Sequence, residues 1–359
     1  MPRLEAYRHL MSAVVVDTDG YWVYTEDGNQ LLDIQAGGQA VINGYSQYDC
    51  IDAIAESQKN VAFLRGNLSQ TNNQMELLTE KLERISGYKA MFYTVTGTSA
   101  VEAAYSTFSD RKWITTINSY HGTGYLSRQF RQNGSVDFGD YNKLEEQFKA
   151  NPGAVFFTET ISWSNNLQTW DFSIVRKLCD QYDVLLIVDD IGMCNWRGSD
   201  RFLTTDLADV VLIGKANTSG YAPLSVLMFN DKAYRIVRDN PIQYGHTYQP
   251  YLPGIVAMNW TMDNTVVQTT DIEQKHKKLG DSLLDLGYID DYRTAGCWAV
   301  YNTNVTFDYI DSYRAGLEHY TEQDQIRLCT MQIADDTYFN QLESRLMTML
   351  ESKLYGKSL

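Results

Sequence analysis

The sequence predicts an α/β fold in which helices cover both faces of a mostly parallel sheet. Short apolar runs alternate with helical segments from about residue 90 to about residue 230, as expected for consecutive strand–helix–strand units. Two of the runs, 185–188 and 210–213, contain only branched apolar residues, which is typical of strands buried on both faces. The segment 172–182 has the spacing of a crossover helix. The predicted strands of this region are residues 91–94, 113–117, 155–157, 184–188, 210–213 and 225–229.

Outside that region the sequence predicts a hairpin near the N-terminus and several helices. Asp27–Gly28, a strong turn pair, separates two short apolar segments at 22–24 and 31–33. Gly37–Gly38 then predicts a loop. Further helices are predicted there at residues 51–64, 75–85 (ended by Gly87), over most of 254–285, and at 339–354, and the alternating region contains another at 100–108. The predicted organisation is an N-terminal arm with part of a small domain (1–50), a large domain (51–253), and a connecting helix with a C-terminal small domain (254–359).

Composition limits the classes of function. The 359 residues suffice for one large domain and a smaller one, and 44% hydrophobic with 21% charged residues is ordinary for a soluble globular protein. A formal net charge of −15 argues against nucleic acid or an anionic membrane as a partner. No apolar run approaches the length of a membrane span and no secretory signal is visible, so we expect a cytoplasmic protein.

The cysteines and histidines predict neither disulfides nor a metal site. The odd number of cysteines and the absence of a Cys-x-x-Cys pair fit a reducing compartment. His121 and His246 have no third ligand at a plausible spacing, so we expect both to be hydrogen-bonded core or rim residues. The cysteines are Cys50, Cys179, Cys194, Cys297 and Cys329.

Two of the predicted strands end in groups suited to catalysis. Asp189 directly follows the run 185–188, and Lys215 follows the run 210–213 after one glycine. Ligands of open α/β sheets bind beyond the carboxyl ends of the strands, so both side chains would project into one crevice. A lysine that forms a Schiff base and a carboxylate that pairs with a pyridinium nitrogen suit pyridoxal phosphate. The structural alternative is a salt bridge at the edge of the sheet.

A second candidate feature is the segment Thr96–Gly97–Thr98–Ser99, between a predicted strand and a predicted helix. N–H groups and hydroxyls at a helix N-terminus can bind phosphate, although Ser and Thr also simply cap helices. The segment has neither a G-x-G-x-x-G fingerprint nor a Walker lysine. Tyr120 follows another predicted strand and could stack on a planar ring, whereas an aromatic there is more often a packing residue.

Taken in order, these motifs resemble the class III (ornithine-type) aminotransferases of fold type I. The matching elements are Thr-Gly-Thr-Ser-Ala at 96–100, Tyr-His-Gly at 120–122, Asp189 and Lys215. The segment 214–220, Gly-Lys-Ala-Asn-Thr-Ser-Gly, is similar to the G-K-A-L-T-G-G of diaminopelargonic acid aminotransferases. Gly-His-Thr-Tyr at 245–248 resembles the segment whose threonine reaches the partner subunit's cofactor phosphate. The resemblance implies a large domain with a mostly parallel sheet and a smaller α+β domain built from both termini.

The resemblance also implies pyridoxal 5'-phosphate as cofactor and a role for each matched residue. Lys215 would carry the cofactor and move the proton in the reaction, and Asp189 would pair with the ring nitrogen. Both would be the catalytic residues of a homodimer with shared active sites. The implied cofactor-binding set is Gly97 and Thr98 at the phosphate, Tyr120 stacked on the ring, Glu159 at a strand end, Asp189, Ile191 facing the ring, Lys215, and Thr247 at the phosphate of the other subunit.

Several departures from the family pattern limit the transfer of roles. The family's D-E-x-x-T-G-F-G-R-T-G stretch keeps little here beyond Asp189 and Arg197, and the loop after Tyr120 is short. Arg327 resembles an arginine of the family's C-terminal strand, so it would bind a substrate carboxylate or be a surface cation. Arg293 and Gly296 match a family R-x-x-G whose role could be structural.

The implied activity is transfer of an amino group from a donor to a ketone or aldehyde. The segment around Lys215 points to a diaminopelargonic acid aminotransferase (adenosylmethionine-8-amino-7-oxononanoate transaminase) of biotin synthesis. An aminomutase of the glutamate-1-semialdehyde type is the alternative, because Thr96–Gly97–Thr98 resembles that family too. A non-catalytic homologue is the third possibility, against which Lys215 and Asp189 argue. The sequence does not identify the donor or the acceptor.

Overall fold

A computed structural model describes residues 13–62, 71–318 and 323–356, which fall into two compact units. Unit 1 comprises the described residues of Met1–Gln47 and Val266–Leu359, and unit 2 those of Tyr48–Thr265. The unit boundaries lie at 47/48 and 265/266, against the predicted domain boundaries at 50/51 and 253/254. No helix within the described ranges is long and apolar enough to cross a membrane.

The described strands and helices follow one another in mixed order along the chain. The strands are β1 (Val15–Asp19), β2 (Trp22–Thr25), β3 (Gln30–Asp33), β4 (Ala90–Thr94), β5 (Trp113–Thr115), β6 (Val155–Glu159), β7 (Ile161–Ser162), β8 (Gln168–Thr169), β9 (Leu185–Asp189), β10 (Val210–Ile213), β11 (Ser225–Phe229), β12 (Asp291–Ala295), β13 (Trp298–Phe307), β14 (Leu317–Glu318) and β15 (Gln323–Cys329). The helices are α1 (Ala36–Gln39, a single turn), α2 (Tyr48–Asn60), α3 (Asn73–Ser86), α4 (Gly97–Thr107), α5 (Tyr125–Gln132), α6 (Tyr141–Ala150), α7 (Phe172–Gln181), α8 (Asp231–Asp239), α9 (Leu252–Asn264), α10 (Thr269–Asp285), α11 (Tyr309–Arg314) and α12 (Asp336–Tyr355).

Unit 2 is built on a six-stranded sheet of order β4-β11-β10-β9-β6-β5. Strands β10, β9, β6 and β5 pair in parallel, and only β11 runs antiparallel to its neighbours. Every residue of β6, β9, β10 and β11 is buried, since apolar clusters pack on both faces of the sheet. The predicted α/β fold with a mostly parallel sheet is therefore confirmed.

Local interactions explain where the predicted elements begin and end. Helix α4 begins at Gly97, not at residue 100, because the Thr96 hydroxyl accepts from the Ser99 N–H in a capping box. Strand β5 ends at Thr115, two residues early, because Ile117 turns away to bond the carbonyl of Val136. Helix α2 covers most of the predicted 51–64, whose last two residues lie outside the described part of the chain.

Unit 1 combines two small sheets with helices. The sheet of order β1-β2-β3-β14 contains the predicted hairpin, and the sheet of order β12-β13-β15 carries Arg293 and Arg327 on its outer strands. Its core includes His276 of α10, whose Nε2 lies 2.9 Å from the Thr330 hydroxyl. Burial lowers the pKa of His276 to about 4, so this histidine is neutral in the folded protein at neutral pH.

The predicted loop at Gly37–Gly38 is in fact a turn of left-handed helix. All four residues of α1 have positive φ, from 50° at Ala36 to 72° at Gln39. The Gln39 N–H donates to the carbonyl of Gln35 at 2.7 Å, which is an α-helical bond of opposite hand. L-residues avoid this conformation because Cβ then crowds the following carbonyl, at a cost of roughly 1–2 kcal/mol each.

The carboxylate of Asp33 holds this turn. It accepts hydrogen bonds from the N–H groups of Gln35 (2.8 Å) and Gly37 (2.6 Å) and from the Tyr45 hydroxyl (2.8 Å). Asp33 is buried, and desolvation raises its pKa in spite of these donors. The turn is therefore stabilised by a buried carboxyl group and not by local preference.

Alanine substitutions at the two glycines of α1 test this description. A Cβ on Gly37 would lie 2.6 Å from Val41 Cγ2, whereas a Cβ on Gly38 would have nothing within 4 Å. Gly38→Ala should lower the free energy of unfolding by about 1 kcal/mol through backbone strain alone. Gly37→Ala should cost about 2–4 kcal/mol, because overpacking adds to the same strain. Urea unfolding of both variants measures the difference, and equal losses would contradict the close approach of Val41.

Candidate active site

The candidate site lies at the carboxyl ends of three adjacent strands in unit 2. Glu159 is the last residue of β6 and Asp189 the last of β9, and the strand register places these two residues opposite each other. Asp189 is also in register with Leu212 of β10, three residues before Lys215. The parallel strands thus bring the two residues of the catalytic prediction, Asp189 and Lys215, to one edge of the sheet.

The N-terminus of α4 supplies hydrogen-bond donors at the same edge. The capping box occupies the Ser99 N–H, and the Ala100 N–H bonds the Thr96 carbonyl, which leaves the N–H groups of Gly97 and Thr98 outside the helical ladder. A Cβ on Gly122 would lie 2.7 Å from Thr98 Oγ1, so only a glycine permits this close approach. Two N–H groups outside the helical ladder and a hydroxyl at a helix N-terminus match the requirements of a phosphate.

The Ile191 side chain packs between Gly97 of α4 and Gly214, the residue before Lys215. A Cβ on Gly97 would lie 2.9 Å from Ile191 Cδ1, and one on Gly214 would lie 3.2 Å from Ile191 Cγ2. The Ile191 N–H donates to Asp189 Oδ1 at 3.1 Å, which fixes the turn that follows β9. One buried side chain therefore sets the spacing between the α4 N-terminus and the segment that carries Lys215.

Asp189 has a partner that the sequence analysis did not assign to it. His121 Nδ1 lies 2.8 Å from Asp189 Oδ2, and the imidazole stacks on Phe157 with ring centroids 3.9 Å apart. The ring is buried, as expected for a hydrogen-bonded core histidine. Its Nε2 is buried without a hydrogen-bond partner in the described ranges. His121 therefore orients the carboxylate of Asp189.

Tyr120 is fixed through its backbone and has two cations beside its ring. Its N–H donates to Glu159 Oε2 at 2.8 Å. The Lys215 Nζ lies 5.5 Å from the ring centroid and the Arg131 guanidinium carbon 5.1 Å from it. Burial raises the pKa of the Tyr120 hydroxyl, so the ring is neutral.

The two other carboxyl groups at this edge are buried. Glu159 accepts from the Ser162 hydroxyl at 2.7 Å as well as from Tyr120, and Asp190 accepts from the Thr160 hydroxyl at 2.6 Å. Desolvation raises the pKa of Glu159 and of Asp190 to about 7 in each case, because these few donors do not replace the lost hydration. Asp190 and Ser162 are not among the site residues predicted from the sequence.

Lys215 has a strained backbone. Its φ of 46° lies in the left-handed region, and a short 3₁₀ turn, Lys215–Thr218, follows it. A non-glycine residue in this region costs of order 1–2 kcal/mol and is found disproportionately at functional sites. This backbone strain is located at Lys215 itself, where the backbone conformation determines whether the amine faces the crevice.

Two of the predicted site residues lie apart from these contacts. Thr247 is exposed in a turn of unit 2. Arg327 belongs to unit 1, where its Nε and Nη2 donate to Gln325 Oε1 at 3.0 and 2.7 Å. Of the nine predicted site residues, seven therefore meet at the edge of the sheet, and Thr247 and Arg327 do not.

The groups gathered at the sheet edge fit pyridoxal phosphate. The N–H groups of Gly97 and Thr98 suit its phosphate, a carboxylate held by a histidine suits its ring nitrogen, and an amine suits its aldehyde. The glycine contacts of Gly97, Gly122 and Gly214 leave no room for larger residues around these groups. The arrangement combines a phosphate cradle, a fixed negative charge, an aromatic face and a lysine.

Replacement of Glu159 by glutamine tests the electrostatics of the site in the cofactor-free protein. The hydrogen bonds that Glu159 accepts from Tyr120 and Ser162 both end on Oε2, so the amide oxygen of Gln can keep them while the charge is lost. Between about pH 4.5 and pH 7 the unfolded chain ionises Glu159 while the folded protein keeps it protonated. The wild type should therefore lose on the order of 2–3 kcal/mol of unfolding free energy relative to Glu159→Gln over this range, and no more above it.

Urea unfolding at several pH values measures this difference. Glu146→Gln is the matched control, because Glu146 is exposed and should follow the wild-type profile. A constant difference between wild type and Glu159→Gln across the range would show that Glu159 is ionised in the fold well below pH 7.

Comparison with known proteins adds independent information. Residues 5–131 match the model of the family described as "Aminotransferase class-III". The chain is 24% identical over 305 residues to ornithine aminotransferase 2 of Staphylococcus saprophyticus, covering 75% of this chain and 74% of that protein. It is 27% identical over 274 residues to ornithine aminotransferase of Bordetella pertussis, covering 66% and 64%.

Solved structures show the same fold. An (S)-enantioselective omega-transaminase from Thermomicrobium roseum matches with a TM-score of 0.84 at 17% identity, covering 98% of this chain and 95% of that one. An ornithine aminotransferase from Toxoplasma gondii matches with a TM-score of 0.80 at 20% identity, covering 97% and 94%. The fold is that of the fold-type I transaminases. Together with the matched family model, these findings identify an aminotransferase that depends on pyridoxal phosphate and is related to the class III enzymes.

Proposed function

We propose that the protein transfers an amino group from an amine donor to a ketone or aldehyde acceptor, with Lys215 and Asp189 as its catalytic residues. The observation that carries the proposal is the convergence of Lys215, Asp189 and the α4 N-terminus at one edge of the unit 2 sheet. Each of these groups suits a different part of one cofactor. A purely structural salt bridge would require only Lys215 and Asp189 and would leave the α4 N-terminus without a role.

Lys215 is the proton carrier of this proposal. When bound, pyridoxal phosphate supplies an electron-accepting ring and an aldehyde carbon that bonds amines reversibly. The Nζ of Lys215 would take the proton from the substrate carbon attached to the reacting nitrogen and return it to the former aldehyde carbon on the other side of that nitrogen. Lys215 is half-buried, and its Nζ lies 5.5 Å from the centroid of the Tyr120 ring on which the cofactor would stack.

Asp189 holds a proton on the ring nitrogen in this proposal. Its Oδ2 is engaged by His121 and its Oδ1 by the Ile191 N–H, so the carboxylate cannot rotate freely. A fixed carboxylate in a water-poor site favours the protonated nitrogen beside it. His121 acts through Asp189 and is therefore a positioning residue.

The remaining residues would bind and orient. Gly97 and Thr98 hold the phosphate with their N–H groups, Tyr120 stacks on the ring, and Ile191 packs against it. Glu159 serves the cofactor through the backbone of Tyr120. These assignments follow the position of each residue at the sheet edge and the family resemblance.

The oligomer of this proposal is a homodimer with shared active sites. Thr247 is exposed on its own chain, where it can reach a second molecule, and its segment resembles the one that contacts the partner's phosphate in the family. The five cysteines all lie in the described ranges and are buried thiols outside any disulfide, which accords with a cytoplasmic enzyme.

Two substrate classes follow from similarity. The curated relatives are named ornithine aminotransferases, which favours an amino acid donor with a second amino group. The segment 214–220 favours a diaminopelargonic acid aminotransferase, whose donor need not be a simple amino acid. Arg327 would bind a substrate carboxylate in the first case.

A reaction with donor alone tests the activity. The protein loaded with pyridoxal phosphate, given one amine donor and no acceptor, should release about one equivalent of free keto product per active site, because transamination stops after half a cycle. A panel of ornithine, S-adenosylmethionine and simple diamines covers both substrate classes. Mass spectrometry of the products distinguishes the alternative, since an isomer of the donor without free keto product would identify an aminomutase.

Lys215→Ala is the control for this experiment. The variant should release no keto product, and borohydride treatment of the loaded wild type should attach the cofactor to the peptide that contains Lys215. Lys232→Ala, at a half-buried lysine paired with Asp183, should leave product release unchanged. Attachment of the cofactor to another lysine would refute the assignment.

Mixing two inactive variants tests the shared site. Lys215→Ala and Thr247→Trp should each lack activity, the second because a bulky residue blocks the partner's phosphate. After subunit exchange a heterodimer has one intact site, so an equimolar mixture should recover about a quarter of the wild-type activity. No recovery after confirmed exchange would mean that Thr247 does not act across subunits.

A further inference from the structure

Asn217 folds back onto the residue that precedes Lys215. Its side chain is fully buried, and its amide lies against both polar groups of the Gly214 backbone. In the orientation that satisfies both ends of the amide, its oxygen accepts from the Gly214 N–H at 3.1 Å and its NH2 donates to the Gly214 carbonyl at 3.3 Å. The Asn217 N–H also donates to that carbonyl, at 3.1 Å. One residue therefore holds Gly214 through both its backbone and its side chain.

Two residues of the segment after β9 meet the same groups. Asn195 and Cys194 are both fully buried. The side-chain amides of Asn195 and Asn217 lie 2.8 Å apart and share a hydrogen bond. The Cys194 thiol donates to the Gly214 carbonyl, with 3.6 Å between Sγ and the oxygen, and the Cys194 N–H donates to the Asp190 carbonyl at 2.8 Å. Asn217 and Gly214 are thus anchored to a part of the chain outside their own turn.

These hydrogen bonds act on the strained backbone of Lys215. Its φ of 46° could relax if the peptide group between Gly214 and Lys215 rotated, because that rotation changes φ of the lysine. The same rotation would carry the Gly214 carbonyl away from Asn217 and Cys194. A strained conformation persists only where its surroundings over-determine it. Asn217 supplies that constraint at the peptide group directly before the lysine.

Stability does not explain a buried amide pair at this place. One end of the Asn195 amide has no hydrogen-bond partner within the described ranges, and an unpaired buried polar group destabilises a fold. The family stretch D-E-x-x-T-G-F-G-R-T-G has phenylalanine at the position of Asn195, and the G-K-A-L-T-G-G segment has leucine at the position of Asn217. Two departures from these motifs therefore contact each other directly. An apolar pair would fill the space without an unpaired amide.

We infer that Asn217 is a positioning residue that acts through Gly214 to hold the Lys215 amine toward the cofactor, with Asn195 orienting its amide. The inference rests on the proposed function, since it concerns the lysine that carries the cofactor and moves the proton. Lys215 has to present one nitrogen to two carbons in turn. A small change in its backbone direction therefore affects proton transfer more than substrate binding.

Attachment of the cofactor to the cofactor-free protein tests the inference without catalysis. Pyridoxal phosphate is added to the wild type and to Asn217→Leu, which has the same branched shape but no polar atoms, and borohydride at timed intervals traps the cofactor on the Lys215 peptide. Attachment should be about tenfold slower in the variant, because the amine faces the crevice less often. The dissociation constant of pyridoxamine phosphate, which has no aldehyde, should change less than about threefold, since the phosphate-binding groups are unaltered.

The reaction supplies a second readout. With one amine donor, Asn217→Leu should lower kcat about tenfold and change KM less than about threefold. The deuterium isotope effect on kcat is measured with a donor deuterated at the carbon that bears the amine. It should be larger in the variant than in the wild type, because slower proton transfer by Lys215 limits the rate to a greater extent.

Asn195→Gly is the second variant, and it decides the case if Asn217→Leu does not fold. Glycine suits the left-handed φ of 57° at this position, so the change removes the amide without adding strain. The hydrogen bonds of Asn217 to Gly214 remain, and only the group that orients them is lost. Attachment should therefore slow by a smaller factor, about threefold.

Asn259→Leu is the matched control for the loss of a buried amide. Asn259 of α9 is buried, and its NH2 donates to the carbonyl and the side-chain oxygen of Gln74 at 2.8 and 3.0 Å. The variant should have a lower thermal midpoint, because these hydrogen bonds join α9 to α3. Its rate of cofactor attachment and its isotope effect should equal those of the wild type.

The outcomes separate this inference from the proposed function. Unchanged attachment rates in Asn217→Leu and Asn195→Gly, or an isotope effect that stays at the wild-type value in Asn217→Leu, would overturn the inference alone. Equally weakened binding of pyridoxamine phosphate would also overturn it, since Asn217 would then shape the whole cofactor pocket. A wild type that acts on no donor would refute the proposed function, and the attachment rates would still decide the inference. Attachment to a lysine other than Lys215 in the wild type would refute both.

Discussion

The desolvation of carboxyl groups at the ends of β6 and β9 is the constraint on which the site depends. Glu159, Asp189 and Asp190 lie side by side where the sheet is buried on both faces, and each needs donors that replace water. The donors come from separate segments: His121 and the Tyr120 backbone from the loop after β5, and Ser162 and Thr160 from the chain just beyond β6. The donors to Glu159 and Asp189 therefore also fix the loop that presents the aromatic ring.

The same physical device appears in unit 1. Asp33 is buried at the end of β3, and its carboxyl group binds the backbone of the following turn. There the donors stabilise a left-handed conformation that would otherwise be unfavourable. In both units a buried acid at the end of a strand determines the path of the chain that follows.

Much of the fold could be predicted because it depends on local patterns. The wholly apolar runs before Asp189 and Lys215 are buried strands, as their composition requires, and so the sheet and the edge that carries both residues could be foreseen. The contact between His121 and Asp189 could not, because it joins residues 68 positions apart and depends on the packing of Phe157. The left-handed turn was missed for a related reason: a glycine pair indicates freedom, and only the buried Asp33 selects among the conformations it allows.

Ile191 has an implication for the evolution of this site. A Cβ on Gly97 would meet Ile191 Cδ1 at 2.9 Å, whereas a Cβ on Gly214 would meet Ser225 Oγ at 2.5 Å before it met Ile191 Cγ2 at 3.2 Å. Gly97 and Ile191 therefore form an epistatic pair, in which a replacement of Gly97 is penalised until residue 191 becomes smaller. In laboratory evolution, shrinkage at the isoleucine would be the permissive step for any change at Gly97, and Gly214 would stay closed to replacement while Ser225 is present.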